Sequence, residues 1–379
     1  MSELESRIKE IAKKEGVALV GIASKERLLD APASGNPEYL LPSTLSVISL
    51  AMSVDKDIVK DFLGKKDWLS HGDDRKEMAR ALFTISDKLT LFLRDNGFEA
   101  VTVGVNNNYR PEGGTTDVSE MTEFIPDFAH RYGAVAAGIG RLGWSGNVLH
   151  PEYGSLLELG SILTSAELEP DPLMEENPCD QCKMCSFVCP VEMISKKESK
   201  HVRVAGIDEE IALKKPNTCC WIGCTGYQGL SVDGKWSNWS PYRLGSDLPD
   251  EKKEWDILNN NLLKVDPLMT YQENGDLRKA TFDPDWRFAT VCGNCRGVCW
   301  PDRMVRMENM RLLTGSGVVV LSPDGQHIIA NDEIIELETP FLVKVAMLKK
   351  DYQSAINGSL EIGEAVTPMD KAVLTHLFR

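Results

Sequence analysis

What most limits the folds open to this chain is a run of four thiols, Cys179-Asp-Gln-Cys182-Lys-Met-Cys185-Ser-Phe-Val-Cys189, closed by Pro190. In the spacing C-x₂-C-x₂-C-x₃-C-P three thiolates reach one cube of iron and sulfide, and the fourth turns toward a second cube. Structural zinc is the competing reading. Zinc takes four tetrahedral ligands, usually as two separated pairs, so four packed cysteines before a proline point to iron and sulfide instead.

A second cube requires a partner run, and Cys292-Gly-Asn-Cys295-Arg-Gly-Val-Cys299-Trp-Pro301 supplies it as C-x₂-C-x₃-C with a proline two places on. By the ligand exchange of two-cluster ferredoxins, Cys179, Cys182 and Cys185 share a cube with Cys299, while Cys189, Cys292 and Cys295 share the other. That second set is one thiol short. Cys219, Cys220 and Cys224 are left in Thr-Cys-Cys-Trp-Ile-Gly-Cys, and one of them completes it, with Cys219 or Cys220 preferred. The remaining two read as small buried hydrophobes. Two [4Fe-4S] clusters are the cofactors this pattern implies.

The 379 residues suffice for two or three packed units. With 42 basic and 57 acidic side chains the formal charge is −15, which repels a phosphate backbone, so a nucleic-acid partner is not expected. No apolar run approaches the roughly 20 residues of a spanning helix. The start, Met1-Ser-Glu-Leu-Glu-Ser-Arg7, has neither an apolar core nor twin arginines, so neither membrane nor export is expected. Ten cysteines without a signal peptide fit the reducing cytoplasm better than a secreted disulfide scaffold.

Periodicity predicts a helix over residues 3–15, a buried strand over 17–22, a second over 45–52, a long helix over 73–96 and a third strand over 98–105. Met78, Leu82, Ile85, Leu89 and Phe92 form the apolar stripe of that long helix, which reads as core packing. Helices and strands alternate, so residues 1–170 read as an α/β unit. Residues 171–310 read as the double-cluster module, with a long aromatic-rich irregular insertion at about 200–290 that carries Trp221, Trp236, Trp239 and Trp255. Residues 311–379 read as a hairpin over 318–330 followed by helices near 340–356 and 366–378.

Two cubes alone make an electron carrier, which needs no 170 residues of α/β structure in front of them. Electrons are therefore delivered to something bound there. The richest stretch is Tyr132-Gly-Ala-Val-Ala-Ala-Gly138-Ile-Gly140-Arg-Leu-Gly143-Trp144-Ser-Gly146-Asn147, followed by His150-Pro-Glu-Tyr153-Gly154-Ser155. Gly138, Gly140 and Gly143 satisfy G-x-G-x-x-G literally, with Glu158 downstream, yet no helix is read after them, and the dinucleotide reading is rejected. Dense glycines still mean close backbone approach, to protein or to a large flat ligand.

At these residues the chain resembles the cobalamin-dependent iron–sulfur reductases, whose branches are epoxyqueuosine reductase and the reductive dehalogenases. The matching pieces are Leu41-Pro42 leading to Ser46-Val-Ile-Ser-Leu50, Leu142-Gly-Trp-Ser-Gly146, Tyr153-Gly-Ser155, Leu159-Gly-Ser-Ile-Leu-Thr164 and both cysteine runs. The resemblance implies an α+β fold, in which a nitroreductase-like α/β core holds a corrinoid and a ferredoxin-like module with two [4Fe-4S] clusters packs against it. It implies cofactor contacts from Gly138, Gly140, Gly143, Trp144, Gly146, His150, Tyr153, Gly154 and Ser155, and a low-potential electron donor such as ferredoxin or flavodoxin.

The resemblance also suggests proton donors. Asp127 falls where the epoxyqueuosine branch keeps its acid, although His130 stands where that branch has proline; the alternative is a helix cap after Pro126. The dehalogenase branch protonates with a tyrosine beside a basic residue, and Tyr109-Arg110 and Arg131-Tyr132 supply those types. No helical repeats follow the clusters, and the second run reads Cys-Trp-Pro rather than Cys-Pro, which suggests a third branch. The leading expectation is a cytoplasmic corrinoid-dependent reductase that cleaves a carbon–halogen or carbon–oxygen bond of a small molecule. The alternatives are an electron-transfer protein or reductive activator for another corrinoid protein, and an epoxyqueuosine-type tRNA base reductase.

Overall fold

The computed structural model describes residues 3–104, 110, 125–215, 217–244, 292–358, 365 and 367–378. Tyr109, Trp255 and the second half of the expected insertion lie outside the described residues.

The chain opens with helix α1 (Glu3–Lys14), strands β1 (Leu19–Ser24) and β2 (Ser46–Ser53), helices α2 (Lys56–Leu63) and α3 (Leu69–Asp95), and strand β3 (Ala100–Val103). Helix α4 (His130–Ala136), a small hairpin of β4 (Arg141–Leu142) and β5 (Val148–Leu149), and strand β6 (Leu157–Thr164) follow. The sheet order is β1-β2-β6-β3, and every neighbouring pair is antiparallel. Alternating helices and strands ordinarily imply a parallel sheet. Here β2 and β3 do run parallel with α3 as their crossover, but β6 enters between them antiparallel to both, which makes the layer α+β.

Side-chain alternation along each strand decides what covers the sheet. Ile22, Ile48, Leu50 and Ile162 face Ile8 of α1 and Leu82 and Leu89 of α3. Ala23, Val47, Ala51 and Leu163 face the other way, onto Ala134 and Val135 of α4. Helix α4 reaches the sheet closely because Gly21 has no Cβ; one there would collide with the Ala137 carbonyl.

Among the described residues the remainder comprises helix α5 (Met184–Phe187), strands β7 (Ile194–Val204) and β8 (Ile207–Lys214), helix α6 (Asn217–Cys224), strand β9 (Tyr242–Arg243), and helices α7 (Asn294–Gly297) and α8 (Arg303–Thr314). Strands β10 (Val319–Leu321), β11 (His327–Ile329), β12 (Ile334–Glu338) and β13 (Lys344–Leu348) and helices α9 (Lys349–Ile356) and α10 (Pro368–Phe378) complete it. Two expectations are corrected. The stretch 194–214, which overlaps the start of the irregular insertion, is an antiparallel hairpin turning on Ala205 and Gly206, both at positive φ. Residues 344–348, expected as helix, form β13, the strand between β12 and β9, with Val345 and Met347 fully buried.

The β7–β8 hairpin buries Val202, Val204 and Ile211 in the same cluster as α4, so it packs on the N-terminal layer. Ile222 of α6, Tyr227, Tyr242, Met347 and Val373 form a separate core around the C-terminal sheet. No helix among the described residues is long and apolar enough to cross a membrane.

Candidate iron–sulfur centres

The first cysteine run wraps through two left-handed residues, Gln181 at φ 55° and Lys183 at φ 61°, which turn its backbone sharply before α5 begins. Trp144 anchors the run. Its backbone N–H donates to Cys179 Sγ at 3.3 Å, its indole N–H donates to Ser195 O at 2.9 Å, and the Lys183 ammonium lies 4.2 Å above its ring. Burial pushes the Cys185 thiol up to about 12, with repulsion from Cys179 and Cys182 adding to it. Cys299, from the second run, is pushed well above the thiol range by burial and then by Cys185, Cys179 and Cys182. One thiol of the second run therefore lies within electrostatic reach of three of the first.

The fourth thiol of the first run crosses the other way. Burial pushes Cys189 up to about 11, with Cys292 the strongest charge upon it. Cys295 is pushed up by burial, then by Cys292, Cys220 and Cys189, and last by Cys185 of the first run. Cys220 and Cys224, one turn apart on α6, bring their sulfurs to 3.6 Å, and the Cys224 thiol also donates to Cys292, which holds Cys292 down to about 7. Cys219 points elsewhere, into the apolar core that contains Tyr227 and Met347. Five thiols thus face one another where a cube takes four. Cys224, passed over in the sequence, carries a legible signal: it is four residues after Cys220 on one helix, hence on the same face.

Among the described residues no three His, Cys, Asp or Glu side chains converge on the geometry of a single ion. What fits a cluster is the exchange between runs and the softness of the donors, since thiolates are the ligands iron–sulfur cubes take.

Arg296, between two cysteines of the second run, fastens that run to the sheet. Its guanidinium donates to Ser155 O at 3.2 Å, Leu157 O at 3.0 Å and Glu158 Oε1 at 2.9 Å, and Arg75 donates to the same Glu158 oxygen at 2.8 Å. Burial pushes Glu158 up, but the two guanidiniums outweigh it and hold the carboxyl at about 2. The acid that completed the rejected dinucleotide pattern is thus committed to two arginines, and α4 precedes the glycines rather than following them.

The residues read as cofactor contacts serve mostly to pack protein on protein. A Cβ at Gly138 would strike the Pro172 carbonyl, one at Gly140 the Leu149 carbonyl, and one at Gly143 would lie 2.9 Å from Leu149 Cδ1. At Gly154 it would lie 2.5 Å from Trp300 Cε3, while Ser155 Oγ donates to Arg296 O at 3.0 Å, so this pair seats the second cysteine run. His150 Nδ1 accepts from Glu152 N at 3.1 Å and its ring leans on Tyr153. The close backbone approaches at Gly138, Gly140, Gly143 and Gly154 are each made to protein atoms.

The proton-donor candidates separate. His130 is buried with Nε2 2.9 Å from Gly104 O and Nδ1 2.9 Å from Ser161 Oγ, and burial pushes it down to about 4. Its ring is neutral and fully engaged. Tyr132 is kept protonated by burial and lies against Gly35. Asp127 is half-buried and receives Arg110 Nη2 at its backbone carbonyl, 2.7 Å away; it does not cap α4, whose N-cap is Ala129.

No protein-family model matches the chain. Its sequence is similar to that of reductases, a class of oxidoreductase. Within that class the relatives are epoxyqueuosine reductases: the chain is 28% identical to that of Bacillus cereus over 155 residues, which cover 41% of this chain and 37% of that protein. It is 38% identical to one from Synechococcus over 61 residues, covering 16% of this chain and 19% of the other. The chain thus aligns with little more than a third of the Bacillus cereus relative. Among solved structures, an epoxyqueuosine reductase with an epoxyqueuosine-modified tRNA stem loop aligns at a TM-score of 0.40 and 18% identity, over 83% of this chain and 81% of that one. A reductive dehalogenase reported with a mechanism for B12-dependent dehalogenation aligns at 0.38 and 16%, over 60% and 32%. Scores this low decide neither fold nor chemistry. The expectation that nucleic acid is no partner has no support from these relatives, and the net charge alone does not exclude RNA.

Proposed function

We propose that the protein is an iron–sulfur reductase that cleaves a carbon–heteroatom bond, C–O or C–halogen. The observation that supports this reading is electrostatic: the strongest thiol influences on Cys299 come from Cys185 and Cys179 of the first run, and that on Cys189 from Cys292 of the second. In this reading one cluster is held by Cys179, Cys182, Cys185 and Cys299, and the other by Cys189, Cys292, Cys295 and Cys220 or Cys224. Loaded clusters supply low-potential electrons one at a time. Corrinoid dependence enters with the family resemblance.

In this reading Tyr132 or Asp127 relays the proton that the cleaved heteroatom needs, and His130, bonded to Gly104 O and Ser161 Oγ, fixes the start of α4. The electron donor is a low-potential carrier such as ferredoxin or flavodoxin. A small-molecule substrate is the first choice because of the −15 net charge. An epoxyqueuosine-type tRNA base is the second reading, favoured by the sequence relatives.

The test is anaerobic purification, reconstitution with iron, sulfide and cobalamin, and measurement of iron and corrin per chain. About eight irons are expected from two cubes. Repeated failure to retain any corrinoid would remove the corrinoid, and iron content nearer one atom per chain would remove the clusters. Turnover of an epoxyqueuosine-modified stem loop, set against a panel of halogenated aromatics, separates the two substrate readings.

A further inference from the structure

Two cations for which no carboxylate partner is found among the described residues meet at Gly146. Arg131 lies in the first turn of α4 and donates from Nη1 to Gly146 O at 3.1 Å. Lys214 ends β8, which is tied to the same turn where Ala212 N donates to Trp144 O at 2.8 Å. A Cβ at residue 146 would lie 2.8 Å from Lys214 Nζ and 3.7 Å from Arg131 Nη1. The backbone there has φ +71°, so glycine is required twice over, for the turn and for the room the ammonium occupies.

Like charges brought together at a partly desolvated place repel unless an anion joins them. Burial pushes Lys214 down to about 8, Arg131 and more weakly Lys200 push the same way, and the negative influences on it are the thiols Cys295 and Cys220. Arg131 is exposed and Lys214 half-buried, so an anion can arrive from solvent. A planar guanidinium beside an ammonium matches the oxygens of a carboxylate or phosphate. The site adjoins the electron source: Asn147, the next residue, places Nδ2 3.9 Å from Cys295 Sγ.

We propose that Lys214 and Arg131 bind a carboxylate or phosphate oxyanion of the substrate over Gly146, beside the second thiol set. Calling the anion substrate rests on the reductase reading; the anion site does not. The test is calorimetric titration of the cluster-loaded protein with inorganic phosphate, at constant ionic strength and without turnover, so that it reads neither corrinoid nor catalysis. Lys214→Met and Arg131→Gln should each weaken phosphate roughly tenfold, the loss of one charge-assisted contact, while Lys13→Met, at the end of α1, leaves it unchanged. Thermal midpoints and iron content check folding, and exposed Arg131 gives a variant that tolerates truncation if Lys214→Met does not fold. Wild-type protein that binds no phosphate would overturn the proposal. So would Lys214→Met that shifts the cluster midpoint potential but not phosphate affinity, since the cations would then serve the cluster. Displacement of phosphate by benzoate identifies a small carboxylate as the source and displacement by a single-stranded RNA oligonucleotide a backbone phosphate; displacement by neither also overturns it.

Discussion

Nη1 of Arg296 stands 2.9 Å from Oε1 of Glu158, an ion pair across 138 residues of chain that joins the second cysteine run to the N-terminal sheet. Arg75 shares the same oxygen at 2.8 Å. Glu158→Gln leaves two guanidiniums facing one neutral amide. Full burial would make that loss 3–5 kcal/mol, but Arg75 keeps 33% of its side chain exposed, so about 2 kcal/mol is expected. Thermal unfolding measures it. Because Arg296 lies next to Cys295, iron should also dissociate faster from the variant under a chelator; equal dissociation would show that the pair stabilises the fold without positioning the cysteines.

Asp370 holds the C-terminal core in a comparable way. Its carboxylate receives Tyr242 Oη at 2.6 Å, Thr367 Oγ1 at 2.7 Å and Thr367 N at 3.0 Å, and faces His327 Nε2 at 3.0 Å, with no exposure to solvent. His327 in turn stacks on Trp68, ring centroids 4.5 Å apart. Asp370→Ala strands at least three buried donors and should cost about 3–5 kcal/mol. Asp370→Asn keeps the shape and should cost less. A denaturant midpoint for Asp370→Ala close to wild type would show that the network is not a source of stability.

Several elements were legible because local signals and packing agree. The stripe of Met78, Leu82, Ile85 and Leu89 is the buried face of α3, and Ser46 to Ser53 is a strand covered on both sides. The β7–β8 hairpin was missed although its signals are present: Val202 and Val204 alternate toward the core, and Ala-Gly makes the turn. Two flanking runs rich in lysine and glutamate hid the alternation. Antiparallel β6 could not be read from periodicity, since a strand's direction depends on how the chain returns. The glycines are ambiguous for a related reason. A glycine required for close approach gives the same letter whether it meets a carbonyl, as Gly140 meets Leu149, or a ligand. The pairing of Lys214 with Arg131 lies beyond sequence reading, because 83 residues separate them and only the seat of β8 on the Trp144 turn unites them.

His130 sets part of the acid limit of stability. Its ring titrates near 6.5 when unfolded, and burial pushes it down to about 4 in the fold. Above pH 6.5 both states hold a neutral ring and the full stability is present. As pH falls from 6.5 toward 4 the unfolded chain binds a proton that the folded chain refuses, so stability drops by up to about 3 kcal/mol and then levels. His71, buried and pushed down to about 3, adds the same sign over a wider window. Equilibrium denaturation between pH 4 and 7 should show a shallower slope for His130→Gln, at the cost of a lower plateau. An unchanged slope would show that the ring is already protonated in the fold.

The exchange of cysteines makes a prediction that reading each run as its own site would not. Cys299 sits in the second run, yet the thiols that act on it most strongly are Cys185, Cys179 and Cys182 of the first. Cys299→Ser should therefore disturb the cluster of the first run, and Cys189→Ser that of the second, because Cys189 faces Cys292. Each variant should keep about four of eight irons, and the surviving clusters should differ in electron paramagnetic resonance. The second set also has a spare, since Cys220 and Cys224 lie 3.6 Å apart on one helix. Cys220→Ser alone should then retain its iron by recruiting Cys224, whereas the double variant should lose a whole cube. If Cys299→Ser and Cys295→Ser leave the same surviving signal, the two runs do not exchange ligands, and the adjacency of their thiols has another origin.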